Sequence, residues 1–340
     1  MSEIRLMPSG KTVDCLPGDT VLQALERKGF ALPNNCRAGA CGECKVKVLS
    51  GEFDQGMVLD MALSKAERSD GYGLMCMAKP LSDVLEIEWG ADDAMPKLFP
   101  PSDGMPYVLV DRIERTARIV ELRLRPLGAP MRFWPGQYVT LGDAPCGIPA
   151  RCYSLANAPR PDGEIVLQVT RAEAGVTSVW IHDRLKSGDI VRVSGPYGTF
   201  VGDPSAETPV LCLAAGSGLA PILSLTEAAL RRGFRHPVTL LFSAKTDGDI
   251  YDAGLLAYWQ SVYRNFRFVP TLTQARAPGM RHGRIPALLP EMYPDLGAYS
   301  VFIAGSPEFA DACVEAVRER GARDGFIHVE GYVSQNVVCE

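Results

Sequence analysis

Several features that mark large protein classes are missing from this 340-residue sequence. No apolar run approaches the roughly 18 residues that a membrane-spanning helix needs, so we predict no membrane span. The formal net charge is only −5, which gives no reason to expect a nucleic-acid partner. The amino-terminal residues do not show a basic segment followed by an apolar core, so we expect no signal peptide and a cytoplasmic location.

Side chains that perform acid–base catalysis are also scarce. The sequence has four histidines, His182, His236, His282 and His328, and none belongs to a pattern that joins a nucleophile, a base and an orienting group. We therefore predict structural or solvent-facing roles for all four. Any chemistry of this chain is expected to reside in bound cofactors, with no catalytic side chain.

Cysteine is plentiful, and four of the ten cysteines have an informative spacing. Cys36, Cys41 and Cys44 form a C-x4-C-x2-C run, and Cys76 follows later in the chain. This is the plant-type spacing for a [2Fe–2S] cluster held by four thiolates. A zinc site or a disulfide pair is the alternative, but zinc sites usually combine two short C-x2–4-C units, whereas here three cysteines share one loop. We predict that these four are cluster ligands and that most of the other cysteines are core residues in a reducing cytoplasm.

Composition and periodicity divide the chain into three folded regions. Short alternating strands and one helix predict a small domain over residues 1–92, which contains the four cysteines. Residues 93–105 are rich in proline and lack a periodic apolar face, so they are predicted to form a linker. Residues 106–205 are rich in strand patterns. Residues 206–340 alternate strands and helices and end in an extension, which predicts a parallel sheet with ligands at the carboxyl ends of its strands.

The strand-rich region, whose first strand is predicted to begin at Tyr107, contains the pattern Arg151-x-Tyr153-Ser154. An arginine fork suits a pyrophosphate, an aromatic ring can stack on an isoalloxazine, and a hydroxyl can bond to its polar edge. These side chains predict a flavin site. The alternative for Tyr153 is a half-buried position on a strand.

The third region contains a tight glycine turn, Gly216-x-Gly218, between a predicted strand and a helix predicted to begin at Ile222. Glycines at this point let a nucleotide phosphate approach the backbone at the helix start. Pro221 stands where the third glycine of the G-x-G-x-x-G fingerprint would be, so the pattern by itself is a weak signal.

Taken with their order, these motifs resemble known families. The cysteine run, Cys-Arg-Ala-Gly-Ala-Cys-Gly-Glu-Cys, resembles the cluster loop of plant-type ferredoxins, and Cys76 matches the fourth ligand of that family. The pattern at Arg151, with Phe-x-Pro-Gly-Gln before it and Gly-Pro-x-Gly after it, resembles the ferredoxin-NADP reductase superfamily, as does the G-x-G-x-x-P turn. Over nearly the whole chain, the order resembles the single-chain NADH-dependent reductases of multicomponent bacterial oxygenases.

This resemblance implies a multidomain α+β and α/β fold. Its parts would be a β-grasp ferredoxin, an antiparallel β-barrel FAD domain and a parallel-sheet nucleotide-binding lobe. The implied cofactors are a [2Fe–2S] cluster, FAD and NADH. The implied activity is electron transfer from NADH through FAD to the cluster and on to a terminal oxygenase or its intermediate ferredoxin. We expect such a chain to act as a monomer.

The resemblance also implies contacts with FAD. A hydroxyl residue at the start of a helix, here Thr177 or Ser178 of a helix predicted to end at Leu185, helps to hold the FAD phosphates. Near the end of the chain, Tyr332 follows Glu330 at a spacing that many relatives share. Tyr332 is expected to shield the flavin face, and the alternative is an aromatic at the end of a strand.

One motif departs from the superfamily pattern. Relatives often have Cys-Gly-x-Pro near the nicotinamide, whereas this chain has Ala304-Gly305-Ser306-Pro307. We expect Gly305 and Pro307 to contact the nucleotide, but no thiol role can be assigned there.

The segment after the second strand of the nucleotide lobe bears on the choice between NADH and NADPH. A 2′-phosphate usually needs an arginine, and none occurs in residues 242–251. Asp247 and Asp249 would repel a phosphate, and either can accept a bond from a free 2′-hydroxyl. Ser243 with Lys245 is the opposing evidence, because a hydroxyl and a point charge can bind a phosphate. The acidic pair favours NADH, with dual use left open.

Other functions fit parts of the pattern. A reductase that serves a sugar-deoxygenating enzyme has the same domain order, and a non-enzymatic iron–sulfur redox sensor would share the cluster. A sensor has no need for both flavin and nucleotide motifs, and a metabolic dehydrogenase would have no use for the cysteine region. That region, residues 1–92, has ten Lys and Arg against fourteen Asp and Glu. We expect either a mildly acidic docking face for a basic partner or an ordinary solvated surface.

Overall fold

The structure, a computed structural model, divides into two compact units. The described residues are 1–89, 98–202 and 206–332. The first unit contains Met1–Asp103 with the short segment Gly195–Thr199, and the second contains Gly104–Ser194 with Phe200–Tyr332. Among the described residues, no helix has the length and the apolar character needed to cross a membrane.

The first unit is a mixed sheet with one main helix. In chain order its elements are β1 (Ser2–Met7), β2 (Lys11–Cys15), α1 (Val21–Arg27), β3 (Lys45–Ser50), β4 (Phe53–Asp54), α2 (Lys65–Ser69), β5 (Tyr72–Leu74), β6 (Lys79–Pro80) and β7 (Val84–Glu88). Five strands pair in the order β2-β1-β7-β3-β5, with β1 and β7 parallel to each other. The predicted β-grasp ferredoxin fold is confirmed.

Alternating apolar residues of β1 and β7 form the core of this unit with one face of α1. Thr20 begins α1: its side chain accepts a hydrogen bond from the Gln23 N–H, and the Gln23 side chain accepts one from the Thr20 N–H. This reciprocal cap satisfies two donors that the first helical turn leaves open. A helix of seven residues is too short to be stable alone, so its buried face holds it in place.

The middle of the chain forms a six-stranded antiparallel sheet. Its elements are β8 (Ser102–Glu114), β9 (Ile119–Pro126), β10 (Tyr138–Asp143), β11 (Ile148–Ser154), β12 (Ile165–Thr170), α3 (Val176–Asp183) and β13 (Ile190–Tyr197). The strand order is β11-β10-β13-β8-β9-β12. A bridge between Leu155 and Leu167 joins the two edges, so the sheet curls into a barrel. The predicted barrel is confirmed.

The last region is a parallel sheet flanked by helices. Its elements are β14 (Val210–Ala215), α4 (Leu219–Arg231), β15 (Val238–Ala244), α5 (Ala253–Val262), β16 (Phe266–Leu272), β17 (Arg281–His282), α6 (Ile285–Met292), β18 (Ser300–Gly305), α7 (Pro307–Glu319) and β19 (Ile327–Gly331). The order is β17-β16-β15-β14-β18-β19, and every pair is parallel. Because helices cover both faces, central strands such as β18 are buried throughout.

Two elements begin earlier than predicted. β8 begins at Ser102, so residues 102–105, predicted as linker, belong to a strand. Hydrogen bonds at Gly104 explain the extension: its N–H donates to Ser194 Oγ at 2.9 Å, and Arg192 donates to its carbonyl. α4 begins at Leu219 rather than Ile222, because the turn at residues 216–218 leads directly into it.

Parts of two predictions lie outside the described residues. These are the linker positions 93–97 and the C-terminal extension 333–340. The proposed domain boundaries therefore stay predictions.

Candidate functional site

The cysteine loop presents backbone donors to sulfur. Cys36 Sγ accepts hydrogen bonds from the N–H groups of Ala38, Ala40 and Cys41 at 3.4, 3.3 and 3.3 Å. The Cys41 thiol and these amides lower the pKa of Cys36 to about 5. Gly39 makes the tight path possible, because a Cβ at this position would lie 2.8 Å from the Met57 carbonyl oxygen. The loop therefore stabilises the thiolate of Cys36, whereas the neighbouring Cys36 and Cys76 sulfurs, together with burial, raise the pKa of Cys41 and of Cys44.

All four predicted ligands come together, and their sulfurs form two pairs. Cys36 interacts with Cys41, and Cys44 interacts with Cys76. The Cys76 N–H also donates to Cys44 Sγ at 3.4 Å. Within the described part of the chain, no three potential ligands converge on a single metal-ion position. Two pairs of thiolates are the ligand set that two irons require, so the residues fit a [2Fe–2S] cluster.

A buried ion pair ties this loop to the helix behind it. Arg37, next to the first ligand, has a left-handed backbone with φ of 54°, and its guanidinium donates to Glu26 of α1. Burial raises the pKa of Glu26, and the positive charge of Arg37 opposes that shift. Removal of either partner would leave a charge in a poorly solvated place, so the pair anchors the loop.

The predicted flavin residues lie on β11 of the barrel. Arg151 and Tyr153 are half-buried, and Ser154 is buried. Burial raises the pKa of Tyr153, and nearby Arg151 partly opposes that increase. An aromatic ring beside a guanidinium along one strand fits a ligand with a flat ring system and a diphosphate.

The helix expected to hold phosphate has a different start from the predicted one. Gly175, not Thr177 or Ser178, is the N-cap of α3, and the helix ends at Asp183 rather than Leu185. The Thr177 hydroxyl donates to the Pro149 carbonyl, and the Ser178 hydroxyl donates to the Gly175 carbonyl. Both hydroxyls thus serve the local fold. α3 packs beside β11 and has no side-chain cap, so its first-turn N–H groups are the donors suited to an anion.

Ser154 of the barrel meets Glu330 and Tyr332, two residues at and just after the end of β19, where the barrel contacts the parallel sheet. Ser154 Oγ donates to the Glu330 carboxylate, with both carboxylate oxygens at 3.3 Å, and lies 3.1 Å from the Tyr332 hydroxyl. Burial raises the pKa of Glu330 to about 8, although bonds from Ser154 and Tyr332 lower it in part. The Tyr332 N–H donates to the Gly305 carbonyl at 2.8 Å. Ser154, Gly305 and Tyr332, each predicted separately, therefore belong to one site.

The glycine turn lies at the carboxyl edge of the parallel sheet. A Cβ on Gly218 would lie 2.1 Å from the Ala304 carbonyl oxygen, so only glycine fits against β18. Gly216 has a positive φ of 56° and faces open space. Pro221 is buried in the first turn of α4. The geometry provides a close backbone approach at the edge where parallel sheets bind ligands.

The start of α7 lies at the same edge. Ser306 caps α7 by accepting a hydrogen bond from the Phe309 N–H, and Pro307 occupies its first turn. The cysteine of the superfamily motif corresponds to Ala304, which is buried in β18, so the Ser306 cap does not replace that thiol.

The two candidate acids after β15 have different environments. Asp249 accepts hydrogen bonds from the Thr246 N–H and hydroxyl at 3.0 and 2.8 Å, so its carboxylate shapes the turn. Asp247 is exposed. Of the two, Asp247 is therefore the better placed to meet a ribose hydroxyl.

The comparisons with known proteins agree with this geometry. The chain matches three families: the 2Fe-2S iron-sulfur cluster binding domain over residues 4–81, the oxidoreductase FAD-binding domain over 108–201 and the oxidoreductase NAD-binding domain over 212–315. It is 37% identical over 328 residues to the aromatic O-demethylase reductase subunit of Amycolatopsis sp., with 95% of this chain and 96% of the relative covered. It belongs to the reductase components of multicomponent oxygenases.

A second relative and a solved structure support this membership. The chain is 33% identical over 325 residues to the phenol 2-monooxygenase reductase component DmpP of Pseudomonas sp., with 93% of this chain and 90% of the relative covered. The crystal structure of Amycolatopsis cytochrome P450 reductase GcoB superposes with a TM-score of 0.90 at 33% identity, covering 98% of this chain and 99% of that one. The predicted set of a [2Fe–2S] cluster, FAD and NAD is confirmed at the level of domains.

Two polar features of this reductase were not predicted as site residues. Glu330 was named only as part of a motif, and its burial against Ser154 is a tertiary effect. Asp252, at the start of α5, reaches Gln168 of the barrel. Asp252 has a left-handed backbone, but this conformation is known only from the structure. No sequence pattern indicated its contact with Gln168.

A cavity of about 320 Å³ lies at the opposite edge of the parallel sheet. Val210, Val238 and Ser300, which begin their strands, line it together with Trp134. None of the predicted cofactor residues lines this cavity.

Proposed function

We propose that this reductase passes electrons from NADH, through FAD bound along β11, to a [2Fe–2S] cluster and then to an oxygenase that acts on an aromatic compound. The observation that carries the proposal is the convergence of Ser154, Glu330 and Tyr332 in a chain whose four cysteine sulfurs also converge. When bound, NADH supplies a pair of electrons, FAD accepts a pair and releases single electrons, and the cluster takes one at a time.

The residues of the barrel suit FAD in distinct ways. Arg151 offers a bidentate partner for the pyrophosphate, and the first-turn N–H groups of α3 offer further donors. The Tyr153 ring is half-buried on the same strand and can support the isoalloxazine. Ser154, held by Glu330, would meet the polar edge of the ring.

The residues of the parallel sheet suit a dinucleotide. Gly216 and Gly218 let the pyrophosphate approach the start of α4, and Gly305 and Pro307 border the same edge. The exposed Asp247 would accept a bond from the ribose 2′-hydroxyl, which supports NADH over NADPH. Tyr332 would cover the flavin face at the place where the nicotinamide enters.

The relatives support an aromatic oxidation system as the partner. They are named for an aromatic O-demethylase and for phenol 2-monooxygenase. Because the ferredoxin is part of the chain, we infer direct delivery to the oxygenase, by a monomer in the cytoplasm. Acidic residues outnumber basic ones in residues 1–92, fourteen to ten, which favours a basic docking surface on the partner.

Anaerobic reduction of the purified protein tests the proposal. NADH should bleach the flavin and cluster absorbance within seconds, and the cluster should then reduce cytochrome c. A redox sensor would keep its absorbance on this timescale, and that result would overturn the proposal.

With the oxygenase partner present, turnover should fall as salt increases while ferricyanide reduction stays flat, since only docking depends on screened charges. Equal responses would remove the charge-steering part alone.

A further inference from the structure

Asp252 has an unusual position at the start of α5. Its backbone is left-handed with φ of 55°, a conformation that L residues rarely adopt, although Asp and Asn tolerate it best. Its carboxylate does not cap its own helix. It is turned toward the barrel, where Gln168 Nε2 donates to Asp252 Oδ2 at 2.6 Å and Arg115 lies 3.5 Å from Oδ1.

The barrel contributes four members to what we call the Asp252 cluster: Gln168 of β12, Arg115, Glu121 of β9 and Arg123. Arg115 lies 2.8 Å from Glu121, and Arg123 contacts the other oxygen of Glu121 at 3.1 Å. The Gln168, Glu121 and Asp252 side chains are buried, so solvent does little to weaken their bonds. Two cations balance two carboxylates, and Asp252 is the member contributed by the parallel-sheet lobe.

The residue before Asp252 leads to the nucleotide turn. The Tyr251 hydroxyl donates to the Gly216 carbonyl at 2.9 Å, and the Tyr251 ring packs edge-on against Phe242 at 5.5 Å. Tyr251 is buried. One dipeptide therefore bonds to the glycine turn through Tyr251 and to the flavin barrel through Asp252.

We propose that Asp252 is a positioning residue for electron transfer from the nucleotide to the flavin. It holds the Gly216 turn, through Tyr251, at a fixed place relative to the barrel strand β12. This inference rests on the proposed function, because it takes Gly216 as part of the nucleotide site. Position matters because transfer depends steeply on the separation of the reacting atoms, and a shift of about 1 Å can cost roughly a hundredfold in rate.

Three variants of the full-length holoprotein separate positioning from general stability. Asp252→Gly removes the carboxylate and relieves the left-handed backbone, so the fold should persist. Asp252→Asn keeps an acceptor for Gln168 and tolerates the same backbone. Asp324→Asn is the matched control, because its carboxylate pairs with Arg318 at 2.8 Å within the lobe and faces solvent.

Two readouts are needed. In anaerobic stopped-flow at saturating NADH, Asp252→Gly should slow flavin reduction by about tenfold or more, with NADH affinity and FAD content near wild type. Asp252→Asn should recover most of the rate, and Asp324→Asn should match wild type. Without any nucleotide, amide hydrogen exchange in the peptide covering Ala215–Ile222 should increase several-fold in Asp252→Gly alone, because the turn loses its anchor.

Each other outcome has a definite meaning. If wild type is not reduced by NADH, the proposed function fails first, and the exchange readout still tests the anchor. If wild type is reduced and Asp252→Gly matches it in rate, the positioning role is overturned. If Asp252→Gly and Asp252→Asn are both slow only because FAD content or melting temperature falls, Asp252 is a stability residue and the inference is also overturned.

Discussion

The cysteine site of the first unit and the flavin–nucleotide site of the second unit differ in how their residues are distributed along the chain. Three of the four sulfur ligands occupy nine consecutive residues, Cys36 to Cys44, and the amide donors to Cys36 lie in the same loop. Ser154 and Glu330, in contrast, are 176 positions apart and meet only after two sheets have formed. The first site depends on local geometry, whereas the second depends on sheet register.

This difference predicts how each site fails when it is altered. The cysteine loop should lose cluster binding completely when one ligand is replaced, because two irons need all four thiolates. A distributed site loses contributions one at a time, because each segment is held by its own strand or helix.

Cys41→Ser should abolish the EPR signal of the reduced cluster. The reason is that serine lacks the thiolate that pairs with Cys36. FAD content and NADH-driven ferricyanide reduction should stay near wild type, because that path ends at the flavin. Cys146→Ser is the control, since Cys146 is exposed on the barrel. A normal EPR signal in Cys41→Ser would show that the ligand assignment is wrong.

Glu330→Gln should remove a pH dependence of stability from the FAD-free protein. The pKa of Glu330 is raised from 4.5 to about 8, so between these values the folded protein holds a proton that the unfolded chain has released. Wild-type stability should therefore fall as pH rises through this window, by as much as about 5 kcal/mol. Urea unfolding between about pH 5 and 8 measures the slope.

The variant should be nearly flat across the same window. Glu319→Gln, on the exposed surface of α7, should retain the wild-type slope. A wild-type stability that does not decline toward pH 8 would contradict the buried, protonated state of Glu330.

Arg151→Ala should weaken FAD binding by roughly tenfold or more. A charge-assisted hydrogen bond contributes on the order of 1.5–3 kcal/mol, and the alanine variant loses it. Equilibrium dialysis followed by flavin fluorescence gives the affinity. Arg160→Ala serves as the control, because Arg160 pairs with Asp162 on the barrel surface. Equal FAD retention in both variants would count against Arg151 as a phosphate partner.

Asp247→Ser should raise kcat/KM for NADPH by roughly fivefold, since removal of one exposed repulsion is worth about 1 kcal/mol. Wild type should prefer NADH. In the variant, kcat/KM for NADH should also fall, because the ribose 2′-hydroxyl loses an acceptor, and this further reduces the preference for NADH. Cytochrome c reduction with each nucleotide gives the ratio. A wild-type ratio that favours NADPH would reverse the assignment, and Lys245→Ala would then identify the phosphate partner.

Much of this molecule could be predicted from local sequence alone. The spacing of Cys36, Cys41 and Cys44 specifies a loop that can surround a small inorganic core, because only a few residues separate one ligand from the next. Apolar runs of strand length alternating with helices specify a parallel sheet, because both faces of each strand must be covered. The glycine turn was predicted as a point where a nucleotide phosphate approaches the backbone, whereas the packing of Gly218 against β18 is known only from the structure.

Other features were decided only by the tertiary structure. The Thr177 hydroxyl faces the Pro149 carbonyl, the Glu330 carboxylate meets Ser154, and Asp252 bonds across to Gln168. In each case the partner lies on another strand or loop, and its distance is set by sheet pairing and not by spacing along the chain. Sequence patterns indicate which side chains are close along the chain. Burial removes water from polar groups, so they need hydrogen-bond partners, and sheet register decides which partners lie within reach.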